Sequence, residues 1–320
     1  MSEVKPSSRQ ASGTASAAET RASNATGVVV GFAGLGIMGK AMSTNLVDAG
    51  FRVVGFDPSE AARAALAAAG GQAHAALADV ASGADVVICS LPHAQALMET
   101  ARALAAVART GQVVIETSTL DIEDKRAARE VLQAAGVVLL DCPLSGTGAQ
   151  AARKDVSVYS SGPKEAVDKL QAVFDGFAKA NYYLGEFGNG MRMKLMANLL
   201  VAIHNVSTAE VLLFGERMGI SADLAVEVLA DGAGGSRMLQ VRGPVIARRS
   251  WAEAAMKVGI WQKDMRLIQA ALEATHSPAP LFAATQPLYN AAMAAGHAAD
   301  DTAVVYRILE RMCGDGPADT

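Results

Sequence analysis

A glycine-spaced turn between an apolar run and a helical stretch constrains the fold of this chain most. The run Val28–Phe32 is β-branched and aromatic, and Ile37–Ala49 has the composition of a helix. In a G-x-G-x-x-G turn, the first glycine permits a tight turn and the second lets a phosphate approach the backbone. The third lets the helix pack against the strand. The pattern predicts a dinucleotide site whose cofactor-binding residues are Gly34, Leu35, Gly36, Ile37, Met38 and Gly39.

The run Arg52–Phe56 ends at an acidic residue that bears on the choice of cofactor. Asp57 lies 18 residues beyond Gly39, close to the spacing of about 20 at which a carboxylate binds the adenosine ribose. A carboxylate repels a 2′-phosphate, and only Arg63 follows closely enough to accept one. The sequence therefore favours NAD as the cofactor, with NADP less favoured.

Short β-branched runs alternate with alanine-rich helical stretches as far as residue 188. The predicted strands are Val28–Phe32, Arg52–Phe56, Asp85–Ser90, Gln112–Glu116, Val137–Asp141 and Val156–Ser161. Predicted helices between them include Ile37–Ala49, Glu60–Ala69 and Ala94–Ala108. Such alternation with continuous apolar strands predicts the α/β class, a Rossmann-type doubly wound parallel sheet covered by helices on both faces.

After Gly190 the pattern becomes almost entirely helical. The predicted helices are Met191–Met218, Ala222–Leu229, Val258–Ala274, Leu281–Ala294 and Thr302–Met312. We therefore expect a dinucleotide-binding domain at 27–188, followed by an all-α substrate and dimerisation domain at 189–314. Residues 1–26 are rich in Ser, Ala and Thr, which predicts a disordered tail. A transit peptide is the alternative, although Glu3 and Glu19 lie among its sparse basic residues.

The amino-acid composition argues against several classes of binding partner. Apolar residues make up 51% of the 320 residues, which excludes a globally disordered chain. Lys and Arg number 28 against 32 Asp and Glu, so neither nucleic acid nor an anionic membrane surface is expected as a partner. The apolar segment 195–209 is too short to span a bilayer and contains Asn198 and His204. The three scattered cysteines form no zinc-ligand spacing, so we expect a cytoplasmic protein without a metal site.

Four segments together resemble the β-hydroxyacid dehydrogenase family, which includes 3-hydroxyisobutyrate dehydrogenase. They are the glycine turn with its helix (GLGIMGKAMSTNL), the segment DCPLSGT at 141–147, the segment GNGMRMK at 188–194 with Asn198, and KDM at 263–265. They occur in the family's order and extend from Gly27 towards the end of the chain. The resemblance implies a hydride-transferring enzyme with its active site between two domains.

The resemblance makes Lys194 the catalytic residue, and the chemistry of alcohol oxidation supports that role. A lysine desolvated in an interdomain cleft has a lowered pKa and can accept the hydroxyl proton. Asn198 lies one helical turn further on and projects from the same face. Ser145, Gly146 and Thr147 follow a strand end, where a hydroxyl and consecutive backbone N–H groups suit a carboxylate. These four residues are the expected substrate-binding residues.

The resemblance adds four cofactor contacts, and the sequence also departs from the family pattern. Leu91 and Pro92 follow one predicted strand, Thr119 follows another, and Lys263 is expected to reach the cofactor from the helical domain. Thr147 replaces a glycine of the family motif, which leaves the identity of the substrate open. Gln150 and Ala197 are further departures.

The resulting hypothesis is an NAD-dependent dehydrogenase of a small 3-hydroxy carboxylic acid similar to 3-hydroxyisobutyrate. Alternatives are a reductase of 2-hydroxy-3-oxopropionate (tartronate semialdehyde) and a dehydrogenase of threonate-type sugar acids or 4-hydroxybutyrate. A hypothesis from another class is a catalytically silent dinucleotide-binding protein. Such proteins and the related imine reductases are expected to lack the lysine, so Lys194 argues against both.

The helical region also predicts self-association. Leu195, Leu199, Val206 and Leu213 lie along one long predicted helix, which offers more apolar surface than a small domain readily covers. The family resemblance implies that this surface lies between subunits. We therefore expect a homodimer or homotetramer whose other partner is a small hydroxy acid or semialdehyde.

Overall fold

The computed structural model describes residues 27–314, so the predicted tail at 1–26 lies outside the described residues. The strands are β1 (Val29–Ala33), β2 (Arg52–Phe56), β3 (Gln72–Ala73), β4 (Val86–Cys89), β5 (Val113–Glu116), β6 (Val138–Asp141), β7 (Leu144–Ser145), β8 (Ser157–Ser160) and β9 (Ala180–Tyr183). The helices up to β9 are α1 (Ile37–Asp48), α2 (Glu60–Ala68), α3 (Leu77–Gly83), α4 (Ala94–Val107), α5 (Ile122–Ala134), α6 (Gly148–Ala151), α7 (Lys164–Lys169) and α8 (Gln171–Phe177). The later helices are α9 (Asn189–Arg217), α10 (Ala222–Ala230), α11 (Arg237–Ala247), α12 (Val258–Ala274), α13 (Pro280–Ala294) and α14 (Val305–Met312).

The first six strands form one parallel sheet in the order β3-β2-β1-β4-β5-β6. Val30 of β1 pairs with Val53 of β2 on one side and with Val86 of β4 on the other. All three side chains are buried, as expected for a sheet covered by helices on both faces. The doubly wound fold predicted from the sequence is confirmed. The strand order reverses between β1 and β4, and ligands of such sheets bind in the crevice at that point.

The predicted strand Val156–Ser161 does not extend the parallel sheet. It forms β8, which pairs antiparallel with β7 and parallel with β9 in a separate sheet of three strands. Pro143 lies between β6 and β7 and has no N–H with which to continue a strand ladder. The chain therefore leaves the first sheet after Asp141. Strands β3, β7 and β9, which are short and carry little apolar alternation, were not predicted from the sequence.

The helical region is built around α9, a helix of 29 residues. Ala202, Val206, Ala209 and Leu212 of α9 pack in one core with residues of the surrounding helices, which include Trp261, Phe282 and Tyr306. The bounds predicted for α12 are those observed. Helix α11 was not predicted, because it contains Gly243 and Pro244, residues that normally argue against a helix interior.

Helix α9 is longer than the apolar segment considered in the sequence. By length and hydropathy it would be able to cross a membrane, so the expectation that this region is too short to span a bilayer was wrong. It nevertheless packs within the helical core, where the Asn205 Nδ2 atom donates a 3.1 Å hydrogen bond to the hydroxyl of Thr302. The central helix of a soluble domain satisfies the same criterion of length and hydropathy.

The apolar line predicted to lie between subunits instead faces the helical core. Val206 is buried in that core, and Leu195, Leu199 and Leu213 pack against it. Successive residues of a helix are rotated by about 100°, so the exposed face is the neighbouring one. It carries Met196, Leu200, Val211 and Phe214, and Met218 follows directly after the helix. Met196 and Phe214 are each 62% exposed.

Candidate active site

The structure gives a different reason for each of the three glycines in the turn after β1. Gly34 has φ of +95°, and a Cβ there would lie 2.2 Å from the carbonyl oxygen of Ser90. A Cβ on Gly39 would lie 2.1 Å from the carbonyl oxygen of Gly34. A Cβ on Gly36 would meet no atom of the described residues within 4 Å. Packing therefore requires the first and third glycines, whereas the second leaves an open face beside the first turn of α1.

That open face borders a cavity of about 1070 Å³, which we call the outer cavity. It lies at the carboxyl ends of β1, β2 and β4, and its lining includes Gly34, Gly36, Ile37, Met38, Asp57, Leu91, Pro92 and Lys263. Its volume lies just above the range of about 300–1,000 Å³ that is usual for small-molecule and cofactor sites. Eight of the eleven predicted cofactor contacts therefore meet around one cavity.

The carboxylate of Asp57 supports the glycine turn from the end of β2. Its Oδ2 atom accepts a 2.8 Å hydrogen bond from the Leu35 N–H, and its Oδ1 atom accepts one from the Ser59 N–H. Arg63 directs its guanidinium away, to the carbonyl oxygens of Asp57 and Pro58. A carboxylate therefore borders this end of the outer cavity, an arrangement that suits ribose hydroxyls better than a 2′-phosphate. Leu35 itself is buried behind the turn.

Two smaller cavities continue from the outer one into the cleft beside α9. The middle cavity has a volume of about 240 Å³, and its lining includes Ile37, Leu91, Thr119, Gly146, Thr147, Lys194 and Lys263. The inner cavity has a volume of about 190 Å³, and its lining includes Ser145, Gly146, Thr147, Lys194 and Asn198. Lys194 lines both, so its side chain stands where the two cavities meet. This arrangement fits a dinucleotide in the outer and middle cavities and a small substrate in the inner one.

The first turns of α9 place Lys194 at this junction. A Cβ on Gly190 would lie 2.3 Å from the carbonyl oxygen of Tyr159, so only glycine lets the helix begin this close to β8. One turn later, the Nζ atom of Lys194 donates a 2.7 Å hydrogen bond to the carbonyl oxygen of Leu144. Burial lowers the pKa of Lys194; Asp264 opposes this shift, and Lys263 adds to it. The lowered pKa is the property that a proton acceptor at this position needs.

A carboxylate from α12 connects the polar groups around Lys194. The Asn198 Nδ2 atom donates a 3.0 Å hydrogen bond to Oδ2 of Asp264. Lys263 donates a 2.6 Å hydrogen bond to the carbonyl oxygen of Thr119 and thereby joins α12 to the loop after β5. Burial raises the pKa of Asp264, an effect that the two lysines oppose. The sequence pattern predicted a contact for Lys263. It did not indicate that Asp264, the next residue, accepts a hydrogen bond from Asn198.

The loop between β7 and α6 differs from the anion cradle expected there. Gly146 has φ of +139°, and a Cβ on it would lie 2.7 Å from Cγ1 of Val156. The Thr147 N–H, however, donates a 3.0 Å hydrogen bond to Oε1 of Gln150, whose own N–H donates to the Thr147 hydroxyl. This reciprocal cap of α6 uses an N–H group that the sequence analysis assigned to the substrate carboxylate.

A buried group of charges behind the cleft was not foreseen from the sequence. The Nζ atom of Lys125 lies 2.6 Å from Glu116 Oε2 and 2.7 Å from Asp141 Oδ1, and all three side chains are inaccessible or nearly so. Burial alone would lower the pKa of Lys125, but the two carboxylates more than offset this and raise it. Asp141 Oδ2 also accepts a hydrogen bond from the Met191 N–H in the first turn of α9. The charges therefore tie the start of this helix to the parallel sheet.

The fold and the cleft define a class of protein: an oxidoreductase that uses a nicotinamide dinucleotide. Two family models match the chain. Residues 29–211 match the NAD binding domain of 6-phosphogluconate dehydrogenase, and residues 188–309 match the NAD-binding domain of NADP-dependent 3-hydroxyisobutyrate dehydrogenase.

Three known proteins illustrate the similarity. The NAD-dependent L-serine dehydrogenase of Pseudomonas aeruginosa is 31% identical over 88% of this chain and 97% of its own length. The L-threonate dehydrogenase of Cupriavidus necator is 31% identical over 88% of this chain and 95% of its own length. The structure of Mycobacterium tuberculosis 3-hydroxyisobutyrate dehydrogenase with L-serine matches with a TM-score of 0.79 at 29% identity, covering 88% of this chain and 99% of that chain.

The chain therefore belongs to the β-hydroxyacid dehydrogenase family. It is an NAD(P)-dependent hydroxyacid dehydrogenase that acts on a CH–OH group. This confirms the family, the fold class and the type of reaction predicted from the sequence, whereas the roles of individual site residues stay predictions.

Proposed function

We propose that this protein oxidises a small hydroxy acid with NAD, using Lys194 as the proton-transfer group. The observation that carries this proposal is the position of Lys194. Its side chain lines both the middle and the inner cavity, its pKa is lowered by burial, and its Nζ atom is oriented by the Leu144 carbonyl oxygen.

The chemistry divides between the cofactor and the protein. Oxidation breaks the C–H and O–H bonds of the substrate carbinol and forms a C=O bond. The bound dinucleotide supplies the hydride acceptor at its nicotinamide ring. Neutral Lys194 accepts the hydroxyl proton, and in the reverse direction its ammonium group returns a proton to the carbonyl oxygen. Ser145 and Gly146 hold the substrate carboxylate, while Asp264 orients Asn198 through their hydrogen bond.

The residues around the outer cavity support an assignment of each part of the cofactor. Gly34, Gly36 and the first turn of α1 hold the pyrophosphate, because N–H groups at a helix N-terminus favour an anion. Asp57 binds the adenosine ribose, which makes NAD the preferred cofactor. Leu91, Pro92 and Thr119 border the nicotinamide end.

The proposed substrate is a 3-hydroxy acid similar to 3-hydroxyisobutyrate. A 2-hydroxy-3-oxopropionate reductase and a threonate-type sugar-acid dehydrogenase are the alternative assignments. The names of the relatives support both a C3 and a C4 acid, since one acts on L-serine and another on L-threonate.

A turnover assay tests the proposal directly. Purified protein would be given a panel of three- to five-carbon hydroxy acids with NAD and separately with NADP, and reduced cofactor would be followed by absorbance. We expect turnover of at least one acid, with kcat/KM higher for NAD. Cofactor binding without turnover of any acid in the panel would instead support a catalytically silent dinucleotide-binding protein.

We further propose that the protein works as a homodimer or homotetramer in the cytoplasm, without nucleic acid or membrane partners. Support for self-association comes from the exposed apolar side chains of α9 and the following segment, which are Met196, Leu200, Val211, Phe214, Met218, Ile220, Leu224 and Val228. Exposed apolar side chains concentrated in one part of a protein are typical of a protein–protein interface. The net charge of −4 and the free cysteines at 89, 142 and 313 support the remaining assignments.

A further inference from the structure

Two connections lead from the end of β6 to Lys194, one to its amino group and one to the helix that carries it. Leu144, three residues beyond Asp141, provides the carbonyl oxygen that accepts the 2.7 Å hydrogen bond from the Lys194 Nζ atom. The Asp141 Oδ2 atom accepts a 2.8 Å hydrogen bond from the N–H of Met191, three residues before Lys194. The short segment 141–144 therefore holds both the amino group of the lysine and the first turn of its helix.

Ser161, which directly follows β8, makes a further connection to the start of α9. Its Oγ atom accepts a 3.0 Å hydrogen bond from the Gly190 N–H. Its hydroxyl hydrogen is directed to Asp141, whose carbonyl oxygen and Oδ2 atom lie 3.1 and 3.2 Å away. The first N–H groups of a helix have no partner within the helix. In α9, Ser161 and Asp141 supply acceptors for two of them.

The carboxylate of Asp141 is itself held in place. Its Oδ1 atom lies 2.7 Å from the Nζ atom of Lys125, which is also 2.6 Å from Oε2 of Glu116. These three side chains are at most 1% exposed, so solvent and salt screen their attraction very little. Asp141 therefore presents its Oδ2 atom to α9 as a fixed acceptor.

The second carboxylate of this cluster leads to the wall of the middle cavity. The Glu116 Oε1 atom accepts a 2.9 Å hydrogen bond from the Ser118 N–H. The Ser118 hydroxyl in turn accepts a 2.8 Å hydrogen bond from the Leu91 N–H. Ser118 and Leu91 both line the middle cavity. The ammonium group of Lys125 thus connects this wall with the helix that carries Lys194.

We propose that Asp141 and Ser161 are positioning residues, which set the place of Lys194 relative to the nicotinamide end of the cofactor. Both are 0% exposed, so they act through α9 and not by contact with the substrate. Proton transfer requires the two heavy atoms to lie within hydrogen-bond reach, and a small displacement of the acceptor lowers the rate. This inference rests on the proposed function, since it assumes that Lys194 transfers the proton.

Two adjacent serines provide a matched pair of variants. Ser160 and Ser161 are both 0% exposed, but the Ser160 hydroxyl donates its 3.3 Å hydrogen bond to the Tyr182 carbonyl oxygen in β9 rather than to a partner of α9. Each alanine variant therefore loses one buried hydroxyl, and urea denaturation compares their stabilities. Assays use NAD and the hydroxy acid that the wild-type enzyme oxidises fastest. We expect Ser161→Ala to lower kcat by about tenfold or more, and Ser160→Ala to change it by less than about twofold.

The affinity for the cofactor distinguishes displacement of Lys194 from general damage to the site. The cofactor is assigned to the outer and middle cavities, whose lining does not include Ser160 or Ser161. The dissociation constant of NADH, measured by fluorescence titration, should therefore be the same in both variants and in the wild type. A loss of kcat at constant NADH affinity is the expected result for Ser161→Ala.

The Lys194→Ala background provides the most direct readout. If Ser161 acts through Lys194, adding Ser161→Ala to Lys194→Ala should lower kcat by less than about twofold, because residues that act as a unit have non-additive effects. A loss of structure elsewhere would instead lower kcat by the same factor in both backgrounds. Single-turnover absorbance measurements follow the slow reaction of these variants.

The outcomes separate this inference from the proposed function. Equal values of kcat in Ser160→Ala and Ser161→Ala would overturn the inference and leave the proposed function intact. A full additional loss in the Lys194→Ala background would do the same. Absence of turnover in the wild type, or wild-type kcat in Lys194→Ala, would overturn the proposed function and this inference with it. If Ser161→Ala does not fold, Ser161→Cys decides by the same comparisons, because a thiol is only a weak donor and acceptor.

Discussion

The Nζ atom of Lys194 donates a 2.7 Å hydrogen bond to the carbonyl oxygen of Leu144. The two residues are 50 positions apart, and they belong to α9 and to β7 of the smaller sheet. The bond fixes the end of a flexible side chain at the junction of the middle and inner cavities. A neutral lysine held in this way retains a lone pair with which to accept a proton.

Removal of Lys194 should abolish most of the activity without affecting cofactor binding. We expect Lys194→Ala to lower kcat by a factor of about 10² to 10⁴, the usual contribution of a positioned acid–base group. Lys194→Arg should not restore activity, because a guanidinium group cannot give up its proton at these pH values. Steady-state kinetics and NADH titration measure the two effects. Wild-type kcat in either variant would exclude Lys194 from the mechanism.

The pH dependence of the reaction should follow the protonation of Lys194. Burial lowers its pKa from the ordinary value of 10.5, so the neutral form is reached at a lower pH than in an exposed lysine. Oxidation requires the neutral amine and should become faster as the pH rises through this pKa. Reduction requires the ammonium group and should become slower over the same range. Profiles of kcat/KM measured in both directions check this, and two profiles that rise together would contradict it.

The charge of Asp57 should determine the choice of dinucleotide. Asp57→Asn keeps one oxygen that can accept a hydrogen bond from the Leu35 or the Ser59 N–H group, but it removes the negative charge and the second acceptor. Asp57→Ala removes the charge and both acceptors. We expect both variants to have a raised KM for NAD and a smaller preference for NAD over NADP, with Ala affected more. The ratio of kcat/KM for the two cofactors is the measurement. A wild-type enzyme that prefers NADP would refute the assignment.

Lys125 should contribute far more to stability than an exposed lysine. Lys125→Met leaves Glu116 and Asp141 as buried carboxylates without their cation, and we expect the free energy of unfolding to fall by about 3–5 kcal/mol. Lys164→Met is the matched control, because Lys164 and Asp168 form an exposed pair, and its cost should be below about 1 kcal/mol. Urea denaturation of both variants provides the comparison. Similar losses of stability would contradict a special role for the buried charges.

The exposed face of α9 should control the oligomeric state. Phe214→Asp introduces a charge into the apolar surface without entering the helical core, and we expect it to release monomers that remain folded. Met312→Asp, at another exposed apolar residue that is 72% exposed, should leave the assembly intact. Light scattering measures the masses. A wild-type mass close to the 32.9 kDa of one chain would refute self-association.

The sequence predicted those features that depend on residues close together in the chain. The glycine turn from Gly34 to Gly39 and the bounds of α12 follow from local spacing and periodicity, and the structure contains both. The order of four short motifs was enough for the family. Local patterns carry this information because a turn or a helix is stabilised mainly by its own residues.

Local patterns failed where a residue depends on distant neighbours. The sequence correctly predicted that one side of α9 is apolar. Which side of the helix packs in the core, however, depends on the helices around it, and these include α11 to α14. The sequence predicted that the Thr147 N–H group would bind the substrate carboxylate, but in the structure this group donates a hydrogen bond to the Gln150 side chain. Strand β8 had the composition of a main-sheet strand, yet the chain leaves that sheet after Asp141.

The sequence by itself therefore determined the class of fold and the family, and it predicted the cofactor site and the lysine at the centre of the proposed mechanism. Only the tertiary structure assembled the buried charges of Lys125, Glu116 and Asp141 and brought Lys194 to both the middle and the inner cavity. The physical reason is that such groups are stable in a protein interior only when partners from other elements surround them. No periodicity along the chain encodes those partners, so only the folded arrangement shows which groups they are.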